Sequence, residues 1–383
     1  MIIAHCEDVR GLPPPAEAVL RAADRPGLVL LDSGLSGHPL NEWGLLAADP
    51  FLVLSARGRR VRVERAGRPA RAFSGDPFLA LERVLSRCRP DRAEGAGVLS
   101  GSAAGFLSYD LGRVTERIPR IARRDLPFPD LWLAFFDHGL AWDVRASRWR
   151  GFFLEGAPAR PDARRRLAAL VRSIERGEAP GGEPAPGRAR ASIPRAEYLR
   201  AVRRIRDYIA AGDVFQVNFA HRFEADAPGD PRRHWSRLRS FSPAPFGAYL
   251  RTQDGAVLSI SPESFLRVRF DFVETRPIKG TRPRGAAPAA DRALARRLEA
   301  SPKDRAELRM IVDLERNDLG RVCRYGSVKV RTEGVLETHP TVFHRAAIVE
   351  GRLRPDASLA DLLRATFPGG SVTGAPKIRA MEI

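Results

Sequence analysis

Short apolar segments separated by glycine and proline, with helical stretches at irregular intervals, constrain the fold of this chain most strongly. In the first part of the chain, Val29–Gly34, Phe51–Ser55 and Gly105–Tyr109 predict strands. Helices are predicted there only around 77–88 and 162–175. Because strands and helices do not alternate regularly, the pattern disfavours a doubly wound parallel sheet and predicts a large α+β architecture.

One segment rich in proline, glycine and alanine divides the chain. Residues 177–192 have the composition of a flexible linker. We therefore predict an N-terminal region over 1–176 and a second domain over 193–383. Neither part contains an internal repeat.

After the linker, the sequence predicts a mixture of helices and strands. An amphipathic helix over Arg195–Ala211 ends at Gly212, and a strand over Val214–Phe219 follows. A long helix is predicted over 288–320. The remaining predicted strands lie near 246–251, 256–260, 327–331 and 346–351. This irregular order again favours an α+β domain.

The composition indicates a cytoplasmic globular protein with reduced thiols. Of the 383 residues, 44% are hydrophobic, and no segment reaches the run of about 18 apolar residues that a membrane span requires. The N-terminus lacks the basic start and apolar stretch of a signal peptide. Cys6, Cys88 and Cys323 lie far apart and form no metal-binding spacing. Such cysteines are typical of free thiols in a reducing compartment.

A net charge of +18 suggests nucleic-acid binding at first sight. The arginines, however, are spread over the chain and interleaved with Asp and Glu, and the densest stretch, 160–176, has the pattern of a solvated helix face. An anionic small substrate is compatible with this charge. We therefore predict binding to neither nucleic acid nor membrane.

Lys279 is the residue that most strongly indicates chemistry. Of the 64 basic residues only four are lysines, namely Lys279, Lys303, Lys329 and Lys377. A partly buried lysine can lose its proton and act as a base or nucleophile, whereas arginine cannot. The alternative interpretation of Lys279, in the run PIKGT, is a turn lysine at the end of a strand.

Three acidic residues are candidates to act with this lysine. Glu263 precedes Lys279 by sixteen positions, a separation that two paired strands can close, and a carboxyl there could exchange a proton. Asp304 and Glu307 are three apart on a predicted helix and so share one face, where two carboxylates can hold Mg²⁺. A surface glutamate and a helix face paired with neighbouring arginines are the alternatives.

A glycine-rich loop and two histidines complete the candidates. Phe367–Lys377 runs into a predicted helix with Pro376 at its first position, so free backbone N–H groups and Lys377 could bind a carboxylate or phosphate. The spacing of a Walker A loop is absent, and a flexible turn is the alternative. His339 and His344 are five apart, a poor spacing for two ligands on one helix face, so each is a candidate proton carrier or a structural residue.

Taken together, these segments resemble the chorismate-utilising enzymes. The resembling segments follow the family's order and cover most of the chain: Leu31–Ser33, Gly105–Arg113, Gly212–Asn218, Ser242–Phe246, Ser261–Phe265, Pro277–Thr281, Met310–Gly320 and Phe367–Ile383. Lys279 in PIKGT, together with Asn218 in QVN, is typical of the branch that aminates chorismate at C4. The anthranilate-forming branch has Ala in place of this lysine. Isochorismate- and salicylate-forming members also have a lysine there, but their surrounding motifs are less similar to this chain.

The resemblance implies a fold, namely a large mixed α+β structure of two packed antiparallel β-sheets with helices on the outside. It implies a tryptophan-pocket-bearing N-terminal region and a chorismate-binding catalytic domain over 193–383. Family members continue for several tens of residues beyond the position of Ile383, with further substrate-binding, Mg²⁺-binding and sheet residues. We therefore expect an incomplete catalytic part in this chain, low or absent activity, and a tendency to aggregate.

The resemblance also implies residue roles. Lys279 would attack C2 of chorismate and expel the 4-hydroxyl, after which ammonia adds at C4 and Lys279 leaves. Glu263 would be the general acid/base for this exchange. The other implied roles are a catalytic position close to the ring for His344, substrate binding by Thr281, Gly374, Ala375 and Lys377, Mg²⁺ binding by Glu307 with Asp304, and a tryptophan pocket of Leu31, Ser33, Pro243 and Phe246.

The resemblance implies a partner as well. Ammonia would come from a glutamine amidotransferase subunit, since the chain has no evident Cys–His glutaminase. The predicted product is 4-amino-4-deoxychorismate, for the synthesis of 4-aminobenzoate and folate. Two alternatives stay open, namely an anthranilate-forming enzyme and a non-catalytic remnant that binds chorismate, tryptophan or the amidotransferase.

Overall fold

The computed structural model describes residues 1–35, 37–94, 102–119, 121–182, 185 and 187–383. By their contacts the described residues form two compact units. The first unit comprises Met1–Val114, Arg123–Ala185 and Pro228–Pro262, and the second comprises Thr115–Ala122, Pro186–Ala227 and Glu263–Ile383.

The predicted linker, 177–192, contains the point at which the chain passes from the first unit to the second. Its residues 183, 184 and 186 lie outside the described residues. By contacts Pro228–Pro262 belong to the first unit, whereas the sequence-based division places them after the linker. The domain boundaries themselves stay a prediction.

Strands and helices are mixed along the chain. The strands are β1 (Ile3–Val9), β2 (Val29–Asp32), β3 (Trp43–Ala47), β4 (Leu52–Arg57), β5 (Arg60–Arg65), β6 (Arg68–Ser74), β7 (Arg92–Glu94), β8 (Ser102–Leu107), β9 (Leu131–Phe136), β10 (His138–Asp143), β11 (Arg148–Glu155), β12 (Arg190–Ala191), β13 (Gln216–Val217), β14 (Phe223–Glu224), β15 (Phe246–Arg251), β16 (Ala256–Ser261), β17 (Ser264–Arg269), β18 (Phe272–Arg276), β19 (Ile278–Pro283), β20 (Lys329–Thr338), β21 (Val342–Arg352) and β22 (Gly374–Ala375). The helices are α1 (Pro15–Arg21), α2 (Pro77–Cys88), α3 (Ala163–Arg176), α4 (Arg195–Ala210), α5 (Pro231–Phe241), α6 (Pro288–Ala300), α7 (Pro302–Gly320), α8 (Leu359–Thr366) and α9 (Lys377–Glu382). None of these helices combines the length and the apolar character that crossing a membrane requires.

The first unit contains an eight-stranded sheet in the order β16-β15-β2-β3-β10-β11-β1-β7. Neighbouring strands are antiparallel except β1 and β7, which are parallel. Helices α1, α3 and α5 contribute to one core cluster with this sheet, in which Trp149, Trp235 and Tyr249 are the largest buried side chains. Burying these aromatic rings holds the three helices against the sheet.

A second sheet of this unit has the order β6-β5-β4-β9-β8 and is antiparallel throughout. Apolar residues of both sheets form one cluster, to which Val29, Trp132 and Phe152 belong. The two sheets therefore share a core, as expected for packed antiparallel sheets.

The second unit contains a five-stranded antiparallel sheet in the order β17-β18-β21-β19, with β20 also pairing with β21. Its core cluster includes Val312 of α7, Leu362 of α8 and Val349 of β21. The short ladders β12–β14 and β13–β22 lie outside this sheet. The predicted α+β class with antiparallel sheets is thus confirmed.

The helices predicted around 77–88, 162–175 and 195–211 are confirmed to within one residue. The single helix predicted over 288–320 is wrong, because α6 ends at Ala300 and α7 begins at Pro302. Proline has no N–H to continue a helical ladder, and the Ser301 hydroxyl instead accepts a hydrogen bond from the Asp304 N–H over 3.3 Å. This break starts a new helix that carries both candidate metal ligands.

Candidate active site

Lys279 and Glu263 are brought together by the strand order of the second unit. Glu263 directly precedes β17, which pairs with β18 so that Ser264 lies opposite Arg276. The chain then continues into β19, where the Ile278 N–H donates a hydrogen bond to Glu263 Oε1 over 3.1 Å. Lys279 follows Ile278 directly, so the predicted closeness of the acid and the amine is found.

The Lys279 amine is partly buried and lies against backbone. Its Nζ donates a hydrogen bond to the carbonyl oxygen of Ser371 over 2.8 Å. Burial lowers the pKa of Lys279, and the negative charges of Glu263 and Glu307 raise it by less. The environment therefore favours the neutral, nucleophilic amine more than water does.

Burial favours the neutral form of the Glu263 carboxyl as well. Burial raises the pKa of Glu263, while hydrogen bonds from the Ser371 side chain and the Ile278 N–H and the charge of Lys279 lower it by less. The directions of these two shifts favour the groups that nucleophilic attack with proton transfer to a leaving group requires, an amine that can lose its proton and a carboxyl that can carry one.

A loop between α8 and α9 closes this site on one side. Ser371 occupies its 3-10 turn, Gly370–Val372, and the Ser371 hydroxyl lies 3.3 Å from the carbonyl oxygen of Ile278. The Asn218 side-chain Nδ2 donates to the Ser371 carbonyl over 2.6 Å. On the other side of the loop, the Gly370 N–H donates to Glu315 Oε1 over 3.1 Å. The sequence reasoning did not propose Ser371 or Glu315 as site residues.

Glu315 and Asp318 form a buried acidic pair on α7. Burial, followed by the negative charge of Asp318, raises the pKa of Glu315 to about 7, although Lys377 and the Gly370 N–H lower it in part. Burial also raises the pKa of Asp318. The sequence signal for this pair is the run Asp313–Asp318, which is more polar than a core helix requires.

Lys377 is engaged with this acidic pair. Its Nζ lies 2.5 Å from Asp318 Oδ2 and also donates to the Thr366 carbonyl over 3.0 Å. It begins α9, which has only six residues. The structure therefore places Lys377 in an ion pair within the second unit, whereas the resemblance implies a substrate carboxylate as its partner.

Gly374 and Ala375 pair with a strand rather than projecting freely. Val217 lies opposite Gly374 and Gln216 opposite Ala375 in the β13–β22 ladder. Gly374 has a φ of 140°, and a Cβ placed on it would lie 2.2 Å from the Gln216 carbonyl oxygen. Only glycine fits this close approach of two backbones.

Thr281 and His344 lie opposite each other on β19 and β21. Thr281 Oγ1 and His344 Nδ1 are 2.9 Å apart, a hydrogen-bonding distance. Burial, then the nearby His339, lowers the pKa of His344, and Glu337 opposes this shift. This shift favours the neutral imidazole, whose ring nitrogens can accept or donate a proton.

The two predicted metal ligands differ in their surroundings. Asp304 is 7% exposed and its Oδ2 accepts a hydrogen bond from Arg282 Nη2 over 2.7 Å. Glu307 is more exposed, and its carboxylate lies 3.7 Å from Lys303 Nζ, a loose surface pair. Glu307 therefore fits as a single carboxylate ligand for Mg²⁺, which takes most of its oxygens from water and substrate. Asp304 is less available for this role, because Arg282 already pairs with its carboxylate, and its part in metal binding stays a prediction.

The predicted effector pocket lies entirely in the first unit. Strand β2 pairs with β15 so that Leu31 lies opposite Ala248, and beyond β2 the Gly34 N–H donates to the Ala244 carbonyl over 3.0 Å. This pairing brings Leu31 and Ser33 into the same region as Pro243 and Phe246. The Ser33 hydroxyl is buried without a hydrogen-bond partner among the described residues. A buried orphan hydroxyl is the kind of group that a polar ligand satisfies.

A sequence model of the family described as chorismate binding enzymes matches residues 50–383. The chain therefore belongs to the chorismate-binding enzymes. The family resemblance inferred from the motifs is confirmed by this match.

Two named relatives and one solved structure are similar to this chain over most of its length. Aminodeoxychorismate synthase component 1 of Klebsiella aerogenes is 40% identical over 371 residues, which cover 94% of this chain and 78% of that protein. Anthranilate synthase component 1 of Mycolicibacterium smegmatis is 34% identical over 381 residues, which cover 94% of this chain and 72% of that protein. The crystal structure of anthranilate synthase component I from Streptococcus pneumoniae TIGR4 has a TM-score of 0.78 at 27% identity, covering 91% of this chain and 77% of that chain.

Proposed function

We propose that this protein has the activity of aminodeoxychorismate synthase component 1, the amination of chorismate at C4. The observation that carries the proposal is the partly buried Lys279 amine next to the Glu263 carboxyl, each with its pKa shifted toward the neutral form. The similarity to the Klebsiella aerogenes enzyme supports the same activity. The product, 4-amino-4-deoxychorismate, precedes 4-aminobenzoate and folate.

In the proposed mechanism, the neutral Lys279 amine attacks C2 of chorismate while Glu263 gives its proton to the C4 hydroxyl. The C4–O bond breaks and water leaves, while the two conjugated ring double bonds move from C1=C2 and C5=C6 to C1=C6 and C4=C5. Ammonia then attacks C4, the bond between C2 and the lysine nitrogen breaks, and the new ammonium group returns one proton to Glu263. The net reaction exchanges the hydroxyl for an amino group and releases one water.

The other site residues receive supporting roles in the proposal. Glu307 would hold Mg²⁺, which when bound neutralises the charge of the ring carboxylate. Thr281, Gly374 and Ala375 would lie along the substrate, with the neutral His344 close to the ring. Lys377 would act on a substrate carboxylate while also paired with Asp318. Asp304 is left out because Arg282 occupies its carboxylate.

The source of ammonia in the proposal is a glutamine amidotransferase partner. The naming of the relatives as component 1 implies a second component, and this supports a two-subunit arrangement. The three described cysteines are free, which is compatible with a reducing cytoplasm. Tryptophan is the proposed ligand of the first-unit pocket, where the orphan Ser33 hydroxyl would bind its polar end.

Product analysis tests the proposed activity. The protein, expressed from its own gene, is incubated with chorismate, Mg²⁺ and ammonium chloride, and the mixture is divided in two. One half is examined for the fluorescence of anthranilate, and the other receives an aminodeoxychorismate lyase and is examined for 4-aminobenzoate. We expect 4-aminobenzoate only in the lyase-treated half. Anthranilate in both halves would instead assign the anthranilate-forming activity.

A further inference from the structure

One backbone carbonyl in the second unit accepts hydrogen bonds from two side chains. The oxygen of Ser371 accepts from Lys279 Nζ over 2.8 Å and from Asn218 Nδ2 over 2.6 Å. Ser371, which carries this carbonyl, is only 9% exposed, whereas Asn218 lies at the surface. A carbonyl oxygen has two lone pairs and can be satisfied by both donors at once.

Asn218 is held in place independently of Lys279. Its backbone N–H donates to the Thr373 carbonyl over 2.9 Å, and the preceding residues Gln216–Val217 pair with Gly374–Ala375. The amide therefore reaches Ser371 from a fixed ladder, whereas Lys279 reaches it through a flexible side chain. Of the two donors, the lysine has the longer and more flexible side chain, whereas the short Asn218 side chain starts from backbone held by this ladder.

We propose that Asn218 is a positioning residue for Lys279, which rests on the Ser371 carbonyl and leaves it to reach substrate. Because the Asn218 amide stays on the carbonyl, the oxygen keeps a partner when the amine departs. Without Asn218, the departing amine would leave a buried carbonyl with no side-chain donor, which is unfavourable. The consequence for turnover rests on the proposed function, but the hydrogen-bond exchange does not.

The charged groups around Lys279 influence how far its pKa changes when Asn218 is removed. The groups that act on its charge are the Glu263 and Glu307 carboxylates, which both favour the ammonium form. A hydrogen bond from the ammonium to a carbonyl favours the charged form further. When the Asn218 amide is removed, Lys279 is the remaining side-chain donor to the Ser371 carbonyl. The hydrogen bond from the ammonium to this oxygen then favours the charged form of Lys279 more strongly. We expect the pKa of Lys279 to rise in Asn218→Ala, which lowers the fraction of neutral amine at neutral pH.

The proposal is tested by the reactivity of the lysine without any turnover. The protein is treated with an acylating reagent over a range of pH, and modification of Lys279 is quantified by mass spectrometry. We expect the midpoint of Lys279 modification to move to higher pH in Asn218→Ala. Asn317→Ala makes the same chemical change at an exposed asparagine of α7 and is expected to leave the midpoint unchanged. An unchanged midpoint in a folded Asn218→Ala protein overturns the proposal.

A nearly isosteric variant covers the case in which the alanine protein does not fold. Asn218→Asp keeps the side-chain shape but loses the donor and adds a negative charge, so the midpoint is expected to rise at least as far. A midpoint at or below the wild-type value would contradict the positioning role.

Kinetics separate this role from a purely structural one. In Asn218→Ala we expect kcat at neutral pH to fall, with KM nearly unchanged and the loss recovered as the pH rises. A kcat lowered equally at every pH would assign Asn218 a structural role only. If the wild-type protein makes no C4-aminated product, the proposed function fails, while the modification experiment still decides the role of Asn218.

Discussion

At the scale of single residues, the proposed site depends on Lys279 and Glu263, whose neutral forms are favoured by burial. Lys279 could be singled out from the sequence because lysine is rare in this chain, and Glu263 could be linked to it because neighbouring strands can close sixteen positions. The Ser371 carbonyl could not be predicted in the same way. Its contact with Asn218 joins positions 153 apart and arises only from the packing of the loop against β13.

Replacing Glu263 tests how strongly its carboxylate stabilises the ammonium form of Lys279. In Glu263→Gln the negative charge that raises the pKa of Lys279 is lost, so we expect this pKa to fall further. Lys279 should then be acylated faster at neutral pH than in the wild type, while C4 amination is lost with the general acid. Glu299→Gln, at an exposed glutamate of α6, is the control. Unchanged Lys279 reactivity in Glu263→Gln would contradict the electrostatic coupling.

The two candidate metal ligands are distinguished by their neighbours. Glu307→Gln is expected to raise the Mg²⁺ concentration needed for half-maximal activity by tenfold or more, on the order of the effect of losing one charged ligand. Asp304→Asn is expected to change it by less than about threefold, because Arg282 and not a metal is the partner of Asp304. Equal effects of both substitutions, measured by Mg²⁺ titration, would restore Asp304 as a ligand.

At the scale of elements, isolated amphipathic helices could be predicted from the sequence. The break between two successive helices and the pairing of two short strands could not. Helices α2, α3 and α4 were predicted because each has a continuous apolar period. The break at Ser301 was missed because the period of apolar residues continues through Pro302. Of the β13–β22 ladder, the sequence predicted only a strand over 214–219 and not its pairing partner. A two-residue pairing is decided by tertiary packing rather than by local propensity.

The β13–β22 ladder provides a direct test of how the loop is held. Gly374→Ala would place a Cβ 2.2 Å from the Gln216 carbonyl oxygen in addition to straining a positive φ. We expect this variant to lose roughly 3 kcal/mol of stability, within the range for backbone strain and overpacking. Gly326→Ala is the matched control, since Gly326 also has a positive φ of 74° but no atom within 4 Å of its Cβ position. Equal losses in urea unfolding would show that the close approach contributes nothing.

At the scale of the whole molecule, family membership was predictable because many short motifs occur in a fixed order. The division into units was harder to predict, since Pro228–Pro262 follow the linker in sequence but add β15 and β16 to the sheet of the first unit. Sheet membership is set by pairing with β2, a strand about 200 positions earlier, which local sequence patterns do not report.

The buried Glu315 should make global stability depend on pH. Its pKa of about 7 lies above the ordinary glutamate value of 4.5, so between these values the folded protein retains a proton that the unfolded chain releases. The free energy of unfolding therefore falls as the pH rises through this window, by an amount on the order of 3 kcal/mol. We expect Glu315→Gln, which still accepts from the Gly370 N–H, to show a smaller fall in chemical denaturation between pH 5 and 8.

A matched control and a contradicting outcome complete this test. Glu197→Gln, at an exposed glutamate of α4, is expected to leave the pH dependence as in the wild type. A wild-type stability that is flat or rises from pH 5 to 8, or a Glu315→Gln profile identical to the wild type, would contradict the raised pKa of Glu315.

The most direct test of the central claim measures C4 amination of chorismate in Lys279→Ala. The protein is expressed from its own gene and assayed with chorismate, ammonium chloride, Mg²⁺ and the lyase, beside Lys329→Ala as a control at an exposed lysine of β20. The proposed nucleophilic role predicts that Lys279→Ala forms no 4-aminobenzoate above background while Lys329→Ala matches the wild type. Formation of 4-aminobenzoate by Lys279→Ala at the wild-type rate would contradict the role assigned to this lysine.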